Sequence, residues 1–349
     1  MSRVLICSPM GIPLADIDAR VWRAWKLNGY AEAQFLIATT DAKARDEFIC
    51  PGNLLYITHS TLPDWVGIID PPIKWNHNHI EVNAKSAEVI FDWRVPPIWG
   101  VNTSIGAQFR TVLEFMNSWN GLPVYPGDIW GSAPDTVYVA STKCSDYMAR
   151  LVKAYGIDWS VTAKLEGNKL RLYANLYERR GQVTNFELNN SNTEASEPVL
   201  TDTGPIFNHV WVYSDAGEGG GRNYKDSRDD ESIAKYGLRQ IAEQGAGSAD
   251  EGLQYQADNR LLDYKQPKHY ITPAVLNKGG AFQHIALGNI LRWRSSRVGF
   301  TGNAIGSEMD VRLEGFEYDE AQDKMKLVAN AYYVKENKRQ QLLDWINRR

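Results

Sequence analysis

The chain has 349 residues, 43% of them apolar and 23% charged, a composition typical of a globular protein with two or three domains. Its formal net charge of −4 argues against a protein held to nucleic acid by phosphate contacts. No run of about 18 apolar residues occurs, so we expect no membrane-spanning segment. The apolar stretch that follows Met1 is too short for a signal peptide, and we expect synthesis in the cytoplasm.

Residues 1–95 are predicted to form a first β unit. The polar segment Asp41–Phe48 favours a short crossing helix, and Ala87–Arg94 closes the unit before Pro96 and Pro97. Alternating or apolar runs bounded by turn residues predict the strands of the unit. They are Val4–Cys7, Val21–Trp25, Ala31–Ile37, Pro51–Ile57, Trp65–Ile69 and Ile80–Ala84.

Residues 96–185 change character and predict an inserted α+β domain. Ile105–Trp119 carries apolar residues at the spacing of an amphipathic helix. Ser145–Tyr155 shows the same periodicity and is followed by Gly156, a helix stop. Asp158–Leu165 and Lys169–Ala174 then predict a hairpin.

Residues 186–333 return to β character and predict a second β unit that includes helices. Phe207–Tyr213 predicts a strand, and the glycine-rich segment Ser214–Arg228 predicts a surface loop. Asp230–Glu243 and Asp250–Tyr264 each have helical periodicity. Residues 334–349 predict a C-terminal helix, which packs either on its own domain or on a neighbouring chain.

A hairpin near the C-terminus is predicted from Met309–Tyr318 and Lys324–Tyr333. On its polar face we expect charged pairs between the two strands, each worth a few tenths of a kcal/mol. The expected acidic and basic partners are Asp310, Arg312 and Glu314 on the first strand and Lys324 and Lys326 on the second.

The two β units share a sequence pattern. Ile49–Leu55 is echoed by Ile285–Leu291, with Ile, Gly, Asn and Leu at equal spacing. Phe300–Gly302 then corresponds to Trp65–Gly67. In Met309–Leu313, apolar and polar residues alternate as they do in Ile80–Ala84, the third strand of the motif in the first unit. Order, spacing and alternation together indicate an internal duplication, although short Gly-Asn turns also recur by chance in β proteins. The predicted fold class is mainly β with an α+β insert.

Few residues indicate chemistry. Gly217–Gly221 lacks the Lys-Ser/Thr that a phosphate-binding loop requires. His77 and His79 lack a third metal ligand at a readable spacing. The cysteines are odd in number and widely spaced, which indicates neither a disulfide framework nor a zinc site; they are Cys7, Cys50 and Cys144.

Two Asp-Trp pairs suit a carbohydrate, because each sets a carboxylate beside an aromatic ring. They are Asp64–Trp65 and Asp92–Trp93. A glycosidase needs two carboxylates facing each other about 5–10 Å apart, which a sequence cannot display. No nucleophile elbow or local Cys/His pair is present. The sequence therefore predicts no catalytic, cofactor-binding or metal-binding residue, and a protein that is not an enzyme.

A duplicated β unit has a consequence for assembly. If three such chains close into a ring, six similar units surround an axis whose true symmetry is three-fold. Such a homotrimer can connect a six-fold partner to a three-fold one. The excess of 12 Trp and 17 Tyr fits an assembly protein, because aromatic residues are enriched at interfaces.

Five segments, taken in order, resemble the baseplate or tail hub proteins of tailed bacteriophages. They are Pro51–Ile57, Pro63–Asp70, Glu81–Glu88, Asp230–Arg239 and Ile285–Ile290. The resemblance implies two tail-tube-like β-barrel domains, a homotrimer in the virion, and a channel for DNA without sequence-specific binding. It implies the hexameric tail tube or a distal tail protein above, tip, spike or fibre proteins below, and a tape-measure protein inside. No lysozyme or peptidase module is visible.

Two other interpretations remain open at this stage. One is a carbohydrate-binding or carbohydrate-degrading β-domain protein that uses Trp65 or Trp93. The other is the equivalent hub of a phage-derived contractile injection particle, which the sequence does not separate from a phage hub. For either hub we expect a polar and acidic lumen past which DNA slides, in keeping with the acidic balance of the chain.

Overall fold

The computed structural model describes most of the chain and shows a mainly β protein. The described residues are 2–95, 99–118, 122–131, 134–139, 143–189, 191–194, 200–203, 205–214, 222–245, 250–266, 268–278, 280–295 and 307–331. None of the helices within these ranges is long and apolar enough to cross a membrane.

The strands and helices follow the chain in this order. The first unit contains β1 Ser2–Cys7, β2 Pro13–Ala19, β3 Val21–Lys26, β4 Glu32–Ala38, β5 Leu54–Thr58, β6 Trp65–Ile69, β7 Lys74–Trp75, β8 His79–Ser86 and α1 Ile90–Trp93. The insert contains β9 Trp99–Ser104, α2 Ile105–Asn117, β10 Val124–Ile129, β11 Pro134–Val139, α3 Cys144–Tyr155, β12 Asp158–Glu166 and β13 Lys169–Tyr177. The remainder contains β14 Val183–Leu188, β15 Leu200–Thr203, β16 His209–Tyr213, β17 Tyr224–Arg228, α4 Asp230–Tyr236, β18 Gln240–Gln244, α5 Asp250–Tyr264, β19 Lys268–Ile271, β20 Ala274–Leu276, β21 Ile290–Ser295, β22 Ser307–Asp319 and β23 Lys324–Ala331.

One large sheet runs through the described chain, in the order β15-β19-β23-β22-β3-β4-β8-β6-β5-β1-β2. β21 joins β14 to the side of β22, while β20 pairs with β23 and β7 with β8. Three small sheets are separate: β10-β13-β12, β11-β9 and β17-β16-β18. The predicted fold class, mainly β with an α+β insert, is confirmed.

The two β units meet where β3 pairs antiparallel with β22, a contact that we call the seam. Its register runs from Lys26 opposite Gly315 to Trp22 opposite Asp319. Across it the rings of Trp25 and Phe316 stack with centroids 4.5 Å apart. Strands from both units contribute to one continuous apolar core. The units are therefore joined edge to edge by backbone hydrogen bonds and by a shared core.

The two Gly-Asn turns of the sequence echo have matching local geometry. Gly52 and Gly288 have φ of +93° and +81°. The Gly52 and Gly288 amides donate to the Ile69 and Leu313 carbonyls, and those residues' amides donate back to the Asn53 and Asn289 carbonyls. Each asparagine side chain also donates to a carbonyl five residues earlier, at 3.0 Å from Asn53 and 3.1 Å from Asn289.

This geometry corrects part of the predicted correspondence. Leu313 occupies the place of Ile69, so Met309–Leu313 corresponds to β6 rather than to the third strand of the first unit. β14 pairs parallel with β21, whereas β1 pairs antiparallel with β5. The segment Phe300–Gly302 lies outside the described residues. The superposition of the two units, and the domain boundaries at 95, 185 and 333, remain predictions.

The insert covers the outer side of the first unit. Helices α2 and α3 and the sheet β10-β13-β12 share an apolar core with residues of β1, β5 and β6. Because the other side of these strands faces the main core, all five residues of β6 are buried. Both predicted helices and the hairpin are confirmed, and Gly156, with φ of +63°, ends α3 as expected.

Two predicted helices are wrong in whole or in part. Asp41–Phe48 forms turns, because short-range bonds such as the Lys43 amide to the Asp41 carboxylate compete with helix propagation. The predicted helix Asp230–Glu243 ends at Tyr236, and Gln240–Gln244 instead forms β18, parallel to β16. Tyr224–Arg228, expected in a loop, forms β17, while Gly217–Gly221 and residues 334–349 lie outside the described ranges.

The C-terminal hairpin is confirmed, but its predicted charge pairs are wrong. The register sets Glu317 opposite Lys326, with 3.3 Å between carboxylate and ammonium, and Asp319 opposite Lys324. A register shift between Leu313 and Gly315 alters the pairing along β22. Two of the charged residues therefore form ion pairs outside the hairpin. Asp310 pairs with Arg292 of β21, and Lys324 pairs with Glu194.

We predict that Gly288→Ala destabilises the protein more than Gly52→Ala. Both glycines have positive φ, but a Cβ on Gly288 would lie 2.2 Å from the Arg180 carbonyl oxygen, whereas a Cβ on Gly52 meets nothing within 4 Å. We expect Gly288→Ala to cost about 3 kcal/mol and Gly52→Ala about 1 kcal/mol in urea-induced unfolding. Equal losses would contradict the close approach at Gly288.

Candidate functional site at the junction of the two units

A buried aspartate ties the first unit, the insert and the second unit together. Asp158, at the start of β12, is 1% exposed and forms an ion pair with Arg312 of β22. Its carboxylate also accepts hydrogen bonds from the Asn28 side chain at 2.9 Å and the Arg180 amide at 2.7 Å. We call these four residues the Asp158 cluster.

Asn28 reaches the aspartate because it lies in the tight turn between β3 and β4, with φ of +59°. The Asn28 side-chain oxygen accepts a hydrogen bond from the Trp159 backbone amide at 2.9 Å. The Asn28 side chain therefore bonds both Asp158 and the residue that follows it. Arg312 also donates to the Arg180 carbonyl at 3.3 Å. Every member of the Asp158 cluster is thus hydrogen-bonded, which a buried ion pair requires.

A cleft of about 840 Å³ lies beside this cluster, above the outer side of the seam. Its floor is formed by strands β3, β22 and β23, and its walls by the end of α3 and by Asp263 of α5. The floor includes the small residues Ala24 and Gly315, and Val328 is 42% exposed there. Charged side chains of both signs surround it: Lys26, Glu32, Arg179, Glu314, Glu317 and Lys326.

The cleft combines an apolar floor with a charged margin. Its described lining contains no histidine or cysteine, and Asp158 and Arg312 neutralise each other. The mixture of apolar floor and charged margin is typical of protein interfaces.

A second buried cation lies on the inner side of the seam. Arg23 of β3 is fully buried opposite Tyr318, and its guanidinium lies 5.3 Å from the centroid of the Trp25 ring. Burial lowers the pKa of Arg23 to about 10, while the negative charge of Glu320 opposes that shift. Arg23 therefore stays charged at neutral pH and interacts with an aromatic face.

The residues that the sequence analysis considered as metal or phosphate ligands do not form a common site within the described residues. His77 lies in the exposed turn before β8, and His79 is the half-buried first residue of that strand, where its ring contacts Asn76 at 3.2 Å. No group of three or more potential metal ligands occurs within the described ranges. Gly217–Gly221, considered for phosphate binding, lies outside them. The predicted lack of catalytic, cofactor and metal residues remains a prediction.

The Asp64–Trp65 pair does not form a carbohydrate platform. Trp65 is 2% exposed, and its indole donates to the Ala24 carbonyl at 2.9 Å. Asp64 instead accepts a hydrogen bond from the Tyr56 hydroxyl. Trp93 is exposed, but Asp92 binds Ser145 at 2.6 Å and Lys143 at 3.2 Å, which fixes the start of α3. The hypothesis of a sugar site at Trp65 is wrong.

The three cysteines are free thiols and differ in exposure. Cys7 and Cys144 are buried, and Cys50 is exposed in the turn before β5. Burial raises the pKa of the Cys7 thiol to about 11 and that of the Cys144 thiol to about 12. Because the thiolate is the reactive form, neither buried cysteine has the character of a nucleophile.

Solved structures of phage tail proteins share this mainly β fold. The structure is similar to a prophage tail protein, gp18, from Listeria monocytogenes, with 12% identity and a TM-score of 0.61 over 99% of this chain and 100% of that one. It is also similar to the 43 kDa tail protein of prophage MuSo2 from Shewanella oneidensis, with 10% identity and a TM-score of 0.60 over 94% and 98%.

A third similar structure comes from a secretion system. It is the Escherichia coli c3393 protein, described as a type VI secretion component that resembles the T4 tail proteins gp27 and gp5, with 9% identity and a TM-score of 0.50 over 90% and 74%. No protein-family model matches the chain, and no curated protein matches it by sequence. At such identities the likeness establishes the fold, and it agrees with the resemblance drawn from the sequence.

We predict that Asp158→Asn costs about 3–5 kcal/mol of stability, because it leaves the Arg312 guanidinium buried without a counter-charge. Urea-induced unfolding measures the loss. Lys326→Ala is the matched control, because its pair with Glu317 is exposed and should contribute under about 1 kcal/mol. Adding Arg312→Met to Asp158→Asn should recover part of the loss; strictly additive losses would contradict the coupling.

We predict that iodoacetamide at pH 8 modifies the folded protein once, at Cys50. The raised pKa values and the burial of Cys7 and Cys144 keep those thiols protonated and covered. In urea all three cysteines should react. Intact-mass spectrometry counts the adducts, and rapid labelling of Cys7 or Cys144 in the folded state would contradict the burial.

Proposed function

We propose that the protein is a structural hub of a phage tail, which forms a homotrimer between the six-fold tail tube and three-fold tip components. The observation that carries the proposal is the seam. Two β units that share a Gly-Asn turn geometry are joined edge to edge by β3 and β22, so one chain presents a continuous sheet built from both.

A continuous sheet suits a ring wall. In a ring of three chains, six units would follow one another around the axis, with seams alternating with contacts between chains. The six-fold partner would then meet six similar edges, while a three-fold partner distinguishes the two kinds of junction. The Asp158 cluster supports this role, because it holds the two units and the insert in one fixed arrangement.

The proposed partners follow from this position. The hexameric tail tube or a distal tail protein would lie above, tip, spike or fibre proteins below, and a tape-measure protein within the channel. DNA would pass through the channel without sequence-specific binding, in keeping with a net charge of −4. The proposed location is the virion, after synthesis in the cytoplasm of the host bacterium.

We assign no enzymatic step to this hub. The strongest candidates in the described chain have structural roles: Asp158 in an ion pair, Asp92 at the start of α3, and the thiols of Cys7 and Cys144 in apolar cores. Similar tail proteins support the structural interpretation through their fold.

A second candidate is the hub of a phage-derived contractile injection particle. The likeness to the Escherichia coli secretion component favours it, because that protein is itself described as similar to phage tail proteins. Both candidates predict the same trimer and differ in the particle that contains it. Purified particles with filled heads indicate a phage, and headless particles indicate the injection device.

We predict that the purified protein, or the protein released gently from particles, has about three times the chain mass of 39.4 kDa in native mass spectrometry. Electron microscopy should show a ring with three strong and six weaker repeats. A strict monomer over a broad concentration range, together with absence of the protein from purified particles, would contradict the hub.

A further inference from the structure

The small sheet β17-β16-β18 packs on α5 through one face, and the side chains of its other face are exposed or half-buried. Its inner face carries Val210 and Val212 of β16. These two side chains pack on three residues of α5: Leu253, Ala257 and Leu261. Its outer side chains alternate with these. On β17 and β18 they are exposed, and on the central strand β16 they are half-buried.

The outer face carries a diagonal of aromatic rings. Trp211 lies at its centre, and the ring of Tyr224, which is 63% exposed, has its centroid 5.6 Å from that of Trp211. Tyr213 pairs with Tyr224 in the register. The guanidinium of Arg222 lies 5.0 Å from the centroid of the Tyr213 ring. We call Trp211, Tyr213 and Tyr224 the aromatic face.

Hydrogen-bonding groups are ordered beside the aromatic face. The Gln240 side-chain nitrogen lies 2.8 Å from Nδ1 of His209, and Nε2 of His209 lies 2.8 Å from the Asp226 carboxylate. In the tautomer with hydrogen on Nε2, the amide donates to the imidazole and the imidazole donates to the carboxylate. The His209 ring also lies 4.9 Å from that of Trp211, centroid to centroid.

This row of groups can bind hydroxyls. The Asp226 side chain is 43% exposed, so its carboxylate can accept hydrogen bonds from a ligand while it holds His209. Gln240 is exposed and has both donor and acceptor atoms. Ala242, a small and exposed residue, lies opposite Trp211 in the register, and Trp211 itself is half-buried.

The dimensions of the face favour a small ligand over a protein. Three strands of five residues cover about 16 Å by 14 Å, which is roughly 230 Å² and gives room for about two or three pyranose rings. A stable protein interface needs about 800 Å² from each partner. The nearby charges of Arg222, Asp226 and Arg228 are mixed, which favours a neutral ligand.

We propose that this face binds a neutral oligosaccharide, with pyranose rings stacked on Trp211 and Tyr224 and hydroxyls bonded to Asp226 and Gln240. Sugar C–H groups pack well on exposed aromatic rings, and their hydroxyls need ordered polar partners beside those rings. The face is remote in sequence from the two Asp-Trp pairs. The proposal does not depend on the trimeric hub.

The test uses the full-length protein and a panel of neutral trisaccharides of glucose, galactose, N-acetylglucosamine and rhamnose. Saturation-transfer NMR identifies binding, and calorimetry gives the affinity for each sugar that binds. Trp211→Ala should weaken binding at least tenfold, and Tyr224→Ala several-fold. Trp211→Phe, which keeps a ring, should retain part of the affinity.

The matched control is Trp75→Ala, because Trp75 is also exposed, at 51%, but lies on β7 away from the aromatic face. The Trp75→Ala variant should bind each sugar with the affinity of the unchanged protein. All variants should have the melting temperature and the native mass of the unchanged protein.

Absence of Trp211-dependent binding to every sugar of the panel would overturn the proposal. So would a Trp211→Ala variant that binds sugar normally but fails to enter particles, because the face would then be a protein interface. A trimer without sugar binding refutes this inference alone. A protein that binds sugar but is a strict monomer and is absent from purified particles refutes the hub alone.

Discussion

The ion pair between Asp158 and Arg312 is the interaction on which the rest of the arrangement depends. Its two charges come from different parts of the chain, and a turn residue of the first unit, Asn28, completes their hydrogen bonds. Buried charges tolerate little displacement, because any gap leaves an uncompensated charge in a medium of low dielectric constant. The pair therefore links the insert directly to strand β22 at the seam.

The seam and the Asp158 cluster act together. Backbone pairing of β3 with β22 sets the direction of the second unit, and the stacked rings of Trp25 and Phe316 close the core beneath it. On the other side of the first unit, the insert buries the outer face of β6. The first unit is thus held on one side by a β partner and on another by helices.

The sequence predicted elements whose signals are local. Amphipathic spacing and Gly156 determined α3, and the Gly-Asn turns revealed the paired geometry at Gly52 and Gly288. It failed where tertiary pairing overrode periodicity, as in β18, whose backbone pairs with β16 although its residues show helical spacing. It also missed the Asp158 cluster, since a single aspartate before a tryptophan gives no sign of a partner far along the chain. The available signal was a charged residue at the start of a predicted strand with apolar residues at alternate positions, Trp159, Val161 and Ala163.

The seam joins two β units of a single polypeptide, which restricts the number of units that the proposed ring can contain. In the proposed ring, the two units of each chain enter together, so the connectivity alone rules out an odd number of units around the axis. Each junction inside a chain is also free to diverge from each junction between chains. Loops on one unit can therefore be altered in evolution without copying the change to its neighbour, which a ring of identical single-unit subunits never permits.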